Sequence, residues 1–301
     1  MLKTGIIGAG NVGANTAFFL AERNIGPVAV HDEQEGFATG KVLDIMEMAP
    51  LARSRYPIYG TDDEADVLSS DIVCIAAGTP GTPEASGAEL YEKNAPLIRN
   101  LAGKLSNHAG VIIIVTEPVD ELVTLFTRES GIDSRRVLGL SGCLAAARLR
   151  YLVSRELSCF AEDVDALALG YRNGSMVVPA DYCRVSGIPA HQLIGEEAFA
   201  RLASEAKNAE QEMLKLNKRS TPFYAAASVA ADVIEAVVAD SGRILSVSTV
   251  LDGEFNINGA AVSVPAMVTA NGVSKILTPT LDASESKKLS KGADQVKQTV
   301  S

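Results

Sequence analysis

The sequence predicts an α/β chain: a doubly wound parallel sheet in the first half, then a mixed α+β half. Three observations carry this. Short, fully apolar runs alternate with helical patterns up to about residue 140, as a sheet buried on both faces requires. A glycine-rich turn at residues 8–13 joins the first such run to the first helical pattern. Beyond residue 140 long amphipathic patterns take over. In order, Thr4 to Ile7 reads as a strand, Asn11 to Asn24 as a helix and Val28 to Val30 as a strand. Gly36 to Met48 follows as a helix ended by Pro50, then a buried strand from Asp71 to Ala76. A helix from Leu90 to Ser106 and a strand from Val111 to Val115 close the half. Strand, helix, strand repeated in this way winds with right-handed crossovers.

In the second half, Leu144 to Glu156, Ala198 to Leu216 and Phe223 to Val238 read as helices. Val164 to Gly170 and Ser246 to Leu251 read as strands of a second, more mixed sheet. Asn256 to Gly259 reads as a turn and Ser284 to Val300 as a terminal helix. The division falls at residue 140: residues 1–140 as a dinucleotide-binding domain, residues 141–301 as a substrate-facing domain. No Pro, Gly or Ser linker separates them, so close packing is expected.

Composition narrows the function. Of 301 residues, 47% are hydrophobic, enough for a full core without staples. A net charge of −10 argues against nucleic acid or an anionic membrane as the main partner. Apolar stretches such as Val111 to Val115 are too short to span a bilayer. The first residues run straight into a strand, so no signal peptide is expected. Cys74, Cys143, Cys159 and Cys183 are scattered without metal-ligand spacing. They read as free thiols of a cytoplasmic protein, with no metal site. The three histidines are His31, His108 and His191.

Gly8, Gly10 and Gly13 form G-x-G-x-x-G between a strand and a helix, which makes the sheet Rossmann-type. The glycines permit a tight turn and close backbone approach, and the helix N-terminus at Asn11 and Val12 offers free amides to phosphates. Asp32 closes the second strand, where a carboxylate accepts both ribose hydroxyls and repels a 2′-phosphate. The cofactor predicted is NAD. Ala77 and Gly78, after the strand ending at Ala76, form the next wall of the same cleft.

These residues, with Gly40-Lys41, Leu43-Asp44, Pro118, Asp120, Arg148, Met176-Val177, Gly187-Ile188-Pro189 and Asn271-Gly272-Val273, resemble the lactate/malate dehydrogenase family, nearer its malate branch. The resemblance covers nearly the whole chain. It implies an NAD-dependent oxidoreductase of a small anionic hydroxy or oxo acid, assembled as a homodimer or homotetramer through a helix at Gly40 to Met48. It also exposes departures. The family's two loop arginines align with Gly81 and Gly87, its turn asparagine with Glu117, its orienting aspartate with Ala145, and its catalytic histidine with Arg172. Arg148, which would grip a substrate carboxylate, remains. Thr221 or Ser220 aligns near the substrate, or caps the next helix.

Carbonyl reduction needs a hydride on carbon and a proton on oxygen. Histidine titrates near neutrality, whereas arginine stays protonated and is a poor proton carrier. Ordinary malate or lactate turnover is therefore expected to be weak or absent. The candidate catalytic residues are Arg148 and Arg172, to bind an anionic substrate, with Glu117 or Tyr171 to handle the proton. A direct Glu117–Arg172 ion pair is expected, against unrelated drift at the two positions. Three readings stay open: an oxidoreductase with altered chemistry, a catalytically impaired NAD(H)-binding sensor or regulatory subunit, and a structural partner using only the family's dimer surface.

Overall fold

Strands and helices alternate from the start: β1 (Thr4–Ile7), α1 (Asn11–Glu22), β2 (Val28–His31), α2 (Phe37–Ala52), β3 (Ile58–Thr61), α3 (Glu64–Leu68), β4 (Ile72–Ile75), α4 (Gly87–Lys104), β5 (Val111–Ile114), α5 (Val119–Ser130) and β6 (Val137–Gly139). The second half adds α6 (Ser141–Leu157), β7 (Val164–Asp165), β8 (Arg184–Val185), β9 (Ile188–Pro189), α7 (Ala190–Ile194), α8 (Glu196–Asn217), α9 (Tyr224–Val238), β10 (Arg243–Asp252), β11 (Asn258–Thr269), β12 (Gly272–Ile276) and α10 (Ala283–Val300). This is a computed structural model, and it describes residues 1–82, 85–172, 175–217 and 221–301.

Six strands pair in parallel in the order β3-β2-β1-β4-β5-β6. Their side chains alternate between two cores. In β5, Ile112 and Ile114 face α4, α5 and α10, while Val111 and Ile113 face α1, α2 and α9. That is why the run is apolar throughout rather than alternating. Each buried isoleucine contributes about 1.5–3 kcal/mol relative to exposure. The strand order reverses between β1 and β4, which opens a crevice at their C-terminal ends.

The second half departs from the sequence expectation. Ser246 to Leu251 lies inside β10, which pairs antiparallel with β6 through Ser248 and Gly139. β10, β11 and β12 thus extend the first sheet to nine strands instead of building a second one. Gly139 permits the approach: a Cβ there would lie 2.5 Å from Val119 Cγ1 and 3.1 Å from Ser248 Cβ. Of Val164 to Gly170, only Val164–Asp165 is a strand, in a separate three-stranded sheet with β8 and β9. Leu169 and Gly170 make single bridges to Val177 and Ser263. Asn258 and Gly259 belong to β11 rather than to the preceding turn. Pro50 does not stop α2, because it sits in the last turn; the helix ends at Arg53, left-handed at φ 56.

Candidate functional site

Three segments build the floor of the crevice. Gly8 has φ +100, and a Cβ there would meet the Ala77 nitrogen at 2.6 Å; one on Gly13 would meet the Gly8 oxygen at 1.8 Å. These two glycines lock the β1–α1 turn against the segment after β4. Around Gly10 a Cβ would meet nothing within 4 Å, so this glycine faces open space. Gly10 caps α1 without a side-chain hydrogen bond, and the first turn holds no acid. The leading amides of α1, at Asn11 and Val12, therefore remain available to an anion. Asp32 follows β2, with Oδ2 accepting the Ala9 amide at 2.8 Å and Oδ1 the Gln34 amide at 3.1 Å. This cradle, half-buried carboxylate included, fits a dinucleotide lacking a 2′-phosphate.

Ala77 and Gly78 form the next wall, as the sequence indicates. Thr116 Oγ1 donates to the Ala77 carbonyl at 2.6 Å. Asn94, buried on α4, accepts from the Thr79 amide at 2.7 Å and donates to the carbonyls of Thr79 (3.1 Å) and Glu117 (2.7 Å). It ties two crevice segments to one helix, and no spacing in the sequence marks it. A cavity of about 430 Å³ opens here, lined among others by Gly10, Asn11, Val12, Gly78 and Thr221. Ser220, the other hydroxyl considered at this place, lies outside the described residues, and the cap of α9 is Phe223.

A second cavity of about 730 Å³ adjoins the first; both are walled by Gly81, Thr82, Glu117, Glu210 and Leu214. Arg172 lies at this boundary. One of its terminal nitrogens bonds Glu117 Oε1 and the other Glu210 Oε2. The expected Glu117–Arg172 pair is present, and a second carboxylate from α8 joins it. The three side chains are only 15–33% exposed, so these contacts are poorly screened by solvent. The Arg172 amide also donates to Asp120 Oδ2 at 3.2 Å.

Arg148, on α6, stands apart. Its Nε is buried without a hydrogen-bond partner. Burial and the neighbouring Arg172 charge lower its pKa to about 10, with Glu117 opposing them. It remains a cation at neutral pH. The expectation that two arginines grip an anion is thus narrowed: Arg172 is already held by two carboxylates, and Arg148 carries the unmatched charge. Ala145, three residues before Arg148 on α6, is buried and offers no carboxylate.

Of two buried carboxylates here, Asp120 entered the sequence reading only as a mark of the family resemblance, and Glu121 was passed over. Asp120 and Glu121, in the first turn of α5, are 1% and 2% exposed and line the larger cavity. Burial lifts Asp120 to about 6, the Ser248 hydroxyl and the Arg172 amide opposing it. Burial, then the charge of Asp120, lifts Glu121 to about 7. Tyr171 Oη donates to Glu121 Oε1 at 2.7 Å. The signal was present as two consecutive acids inside an apolar run. Glu210 had no comparable signal, since its partner is distant in the chain.

The histidines serve elsewhere. His31 Nδ1 lies 3.0 Å from the Thr61 carbonyl, His108 Nε2 lies 2.8 Å from that of Ser70, and His191 pairs with Asp181. No group of acids, histidines and cysteines suited to a metal occurs among the described residues. All four cysteines are free.

A parallel sheet with a glycine cradle and an acidic strand end at its crevice defines a dinucleotide-binding α/β architecture. Residues 2–139 match the lactate/malate dehydrogenase NAD binding domain, and residues 143–301 the alpha/beta C-terminal domain of the same family. The chain belongs to the lactate/malate dehydrogenase family, and its cofactor is NAD. It is 35% identical to a malate dehydrogenase of Heliobacterium modesticaldum, over 99% of this chain and 97% of the relative. Identity is also 35% to a malate dehydrogenase of Methanosarcina mazei, over 100% and 99%. Among solved structures, the malate dehydrogenase of Cryptosporidium parvum superposes with a TM-score of 0.95 at 29% identity, covering 99% and 98% of the two chains. The lactate dehydrogenase of the same organism, complexed with lactic acid and nicotinamide adenine dinucleotide, gives 0.94 at 28%, covering 99% and 96%. No helix among the described residues is long and apolar enough to cross a membrane.

Proposed function

We propose that this chain is an NAD-dependent oxidoreductase of a small anionic hydroxy or oxo acid, with little or no turnover of malate and lactate themselves. The observation that carries it is the Glu117–Arg172–Glu210 cluster beside an unmatched Arg148. NAD, when bound, supplies or accepts the hydride. The residues of the chain do the rest. Arg148 holds a substrate carboxylate at the crevice. Arg172, clamped by two acids, serves as a fixed cation. Of the two groups considered for the proton, Tyr171 is the better placed, because Glu117 is bound to Arg172. Behind Tyr171, Glu121 titrates near neutrality and can take or return a proton through their shared hydrogen bond.

The test is the decay of NADH absorbance at high protein concentration across a panel of 2-oxo acids that includes oxaloacetate and pyruvate. Turnover of at least one other 2-oxo acid, with oxaloacetate and pyruvate slow, is the expected result. The opposing reading is an NAD(H)-binding regulator without turnover. It draws support from the same cluster, which commits the charge of Arg172 to the protein's own carboxylates. NADH binding with no turnover on the whole panel would decide for it.

We infer a homodimer or homotetramer built through α2, where Leu43 and Leu51 are 62% and 86% exposed. Sedimentation of the wild type and of Leu43→Lys checks this; a monomer in both overturns it. A cytoplasmic location is proposed from the four free thiols.

A further inference from the structure

We propose that Glu210 is the specificity-determining residue of this site: with Glu117 it makes the wall beside Arg148 acidic, so the pocket selects a monocarboxylate and rejects a second carboxylate at the far end of a short substrate. This rests on the function proposed above.

The argument is one of charge placement. Arg172 is the cation nearest the boundary of the two cavities, and its single positive charge meets two carboxylates. Those two acids over-neutralise it. Arg148, which also feels the charge of Glu117, brings the four groups to neutrality; it is the one arginine of the pair with no hydrogen-bonded acid, so it can take a first carboxylate, and no cation of the cluster is left for a second. Asp120 and Glu121 add acidity to the adjoining cavity wall. A second substrate carboxylate would meet Glu117 and Glu210, or would have to displace one of them from Arg172. Like charges at a half-buried site repel strongly, and a displaced acid loses its partner. A methyl or other neutral group meets no such cost. The remaining cations of the larger cavity, Lys207 and Lys215, are exposed on α8.

Glu210 is the adjustable arm of this cluster. Glu117 sits in a backbone turn whose carbonyl is pinned by Asn94, whereas Glu210 projects from the middle of α8. Removing its charge frees one face of Arg172. That freed guanidinium is then the natural partner for a second carboxylate. Selection against an unwanted ligand is thus built from an acid, and its loss is a gain of binding.

Calorimetric titration of NADH-loaded protein with malate and with 2-hydroxybutyrate tests this. The two acids differ only in a terminal carboxylate against a methyl, and neither can accept hydride from NADH. Wild type is expected to bind 2-hydroxybutyrate about tenfold more tightly than malate. Glu210→Gln is expected to tighten malate by about tenfold and leave 2-hydroxybutyrate within about twofold. Glu117→Gln, which breaks the other arm, should act in the same direction and serves if the first variant misfolds. NADH affinity of each variant reports the fold. A wild-type preference for malate overturns the proposal, as does a Glu210→Gln variant that loses both ligands equally, the mark of a mere brace. Failure of both acids to bind NADH-loaded wild type overturns it too. Should selective binding hold while no 2-oxo acid is reduced, the oxidoreductase reading fails and the selectivity stands.

Discussion

Glu121 is the residue whose environment has the clearest thermodynamic consequence. Its ordinary pKa of 4.5 rises to about 7 in the folded chain. The folded state therefore binds this proton more tightly than the unfolded state does. The resulting stability is fully present below about pH 4.5 and is lost as pH rises through about 7. Asp120 acts with the same sign, from 3.8 to about 6. Replacing Glu121 by Gln keeps an acceptor for Tyr171 and removes the charge. Urea midpoints at pH 5 and pH 8 check the outcome. The variant should gain at pH 8, by on the order of 3 kcal/mol at most, and differ little at pH 5. A variant weaker than wild type at both values would refute the account. At the other end of the crevice, Asp32→Ser should weaken NADH by about tenfold and strengthen NADPH, because the repelling carboxylate is gone. Binding titrations with both nucleotides measure it; unchanged preference would mean that Asp32 serves only the Ala9 amide.

At the scale of elements, Asn94 shows how one helix holds the crevice. Asn94→Ala leaves the Thr79 amide and the Thr79 and Glu117 carbonyls without that partner, at a cost of about 2–3 kcal/mol. Chemical denaturation measures the loss; an effect near zero would mean that water replaces the amide. Elements of this first half were legible where periodicity was long or glycines fixed a turn: β1, α1, β2 and β5 lie where the sequence puts them. The glycine cradle and Asp32 were legible for the same reason, each being local. The segment from α5 to β6 went unread. Its signals are a pair of acids in the first turn, Arg128 in the last and a left-handed Gly131 at the end; Val119, Leu122, Val123 and Phe126 fall at helical spacing between them, so the helix was legible and was passed over. The three residues of β6 are too few to show any period. Arg172 and Glu117 were identified by alignment with the family, and their pairing followed from opposite charge at two positions facing one space. Glu210 was not, since α8 is a long charged helix on which nothing distinguishes one acid from its neighbours.

For the whole molecule, the sheet is the decisive feature. A boundary at residue 140 separates the cofactor cradle from Arg148 and Arg172, but β6 and β10 pair across it. Both large cores also cross it: Ile7, Ile114 and Phe126 share one with Val262 and Leu289, while Leu20 and Ile113 share the other with Val233 and Val247. From contacts this extensive we infer that the two halves unfold as one cooperative unit. Calorimetry at a fixed oligomeric state is therefore expected to show a single transition, with the van't Hoff enthalpy per cooperative unit equal to the calorimetric one. A fragment of residues 1–140 should fail to fold, since it would leave β6 unpaired on one side and strip α5 of the strands and helix that cover it. Two resolved transitions, or a fragment that folds and binds NADH alone, would show that the cradle is autonomous. In that case the Glu117–Arg172–Glu210 cluster would be a contact between independently stable bodies rather than part of one folded interior.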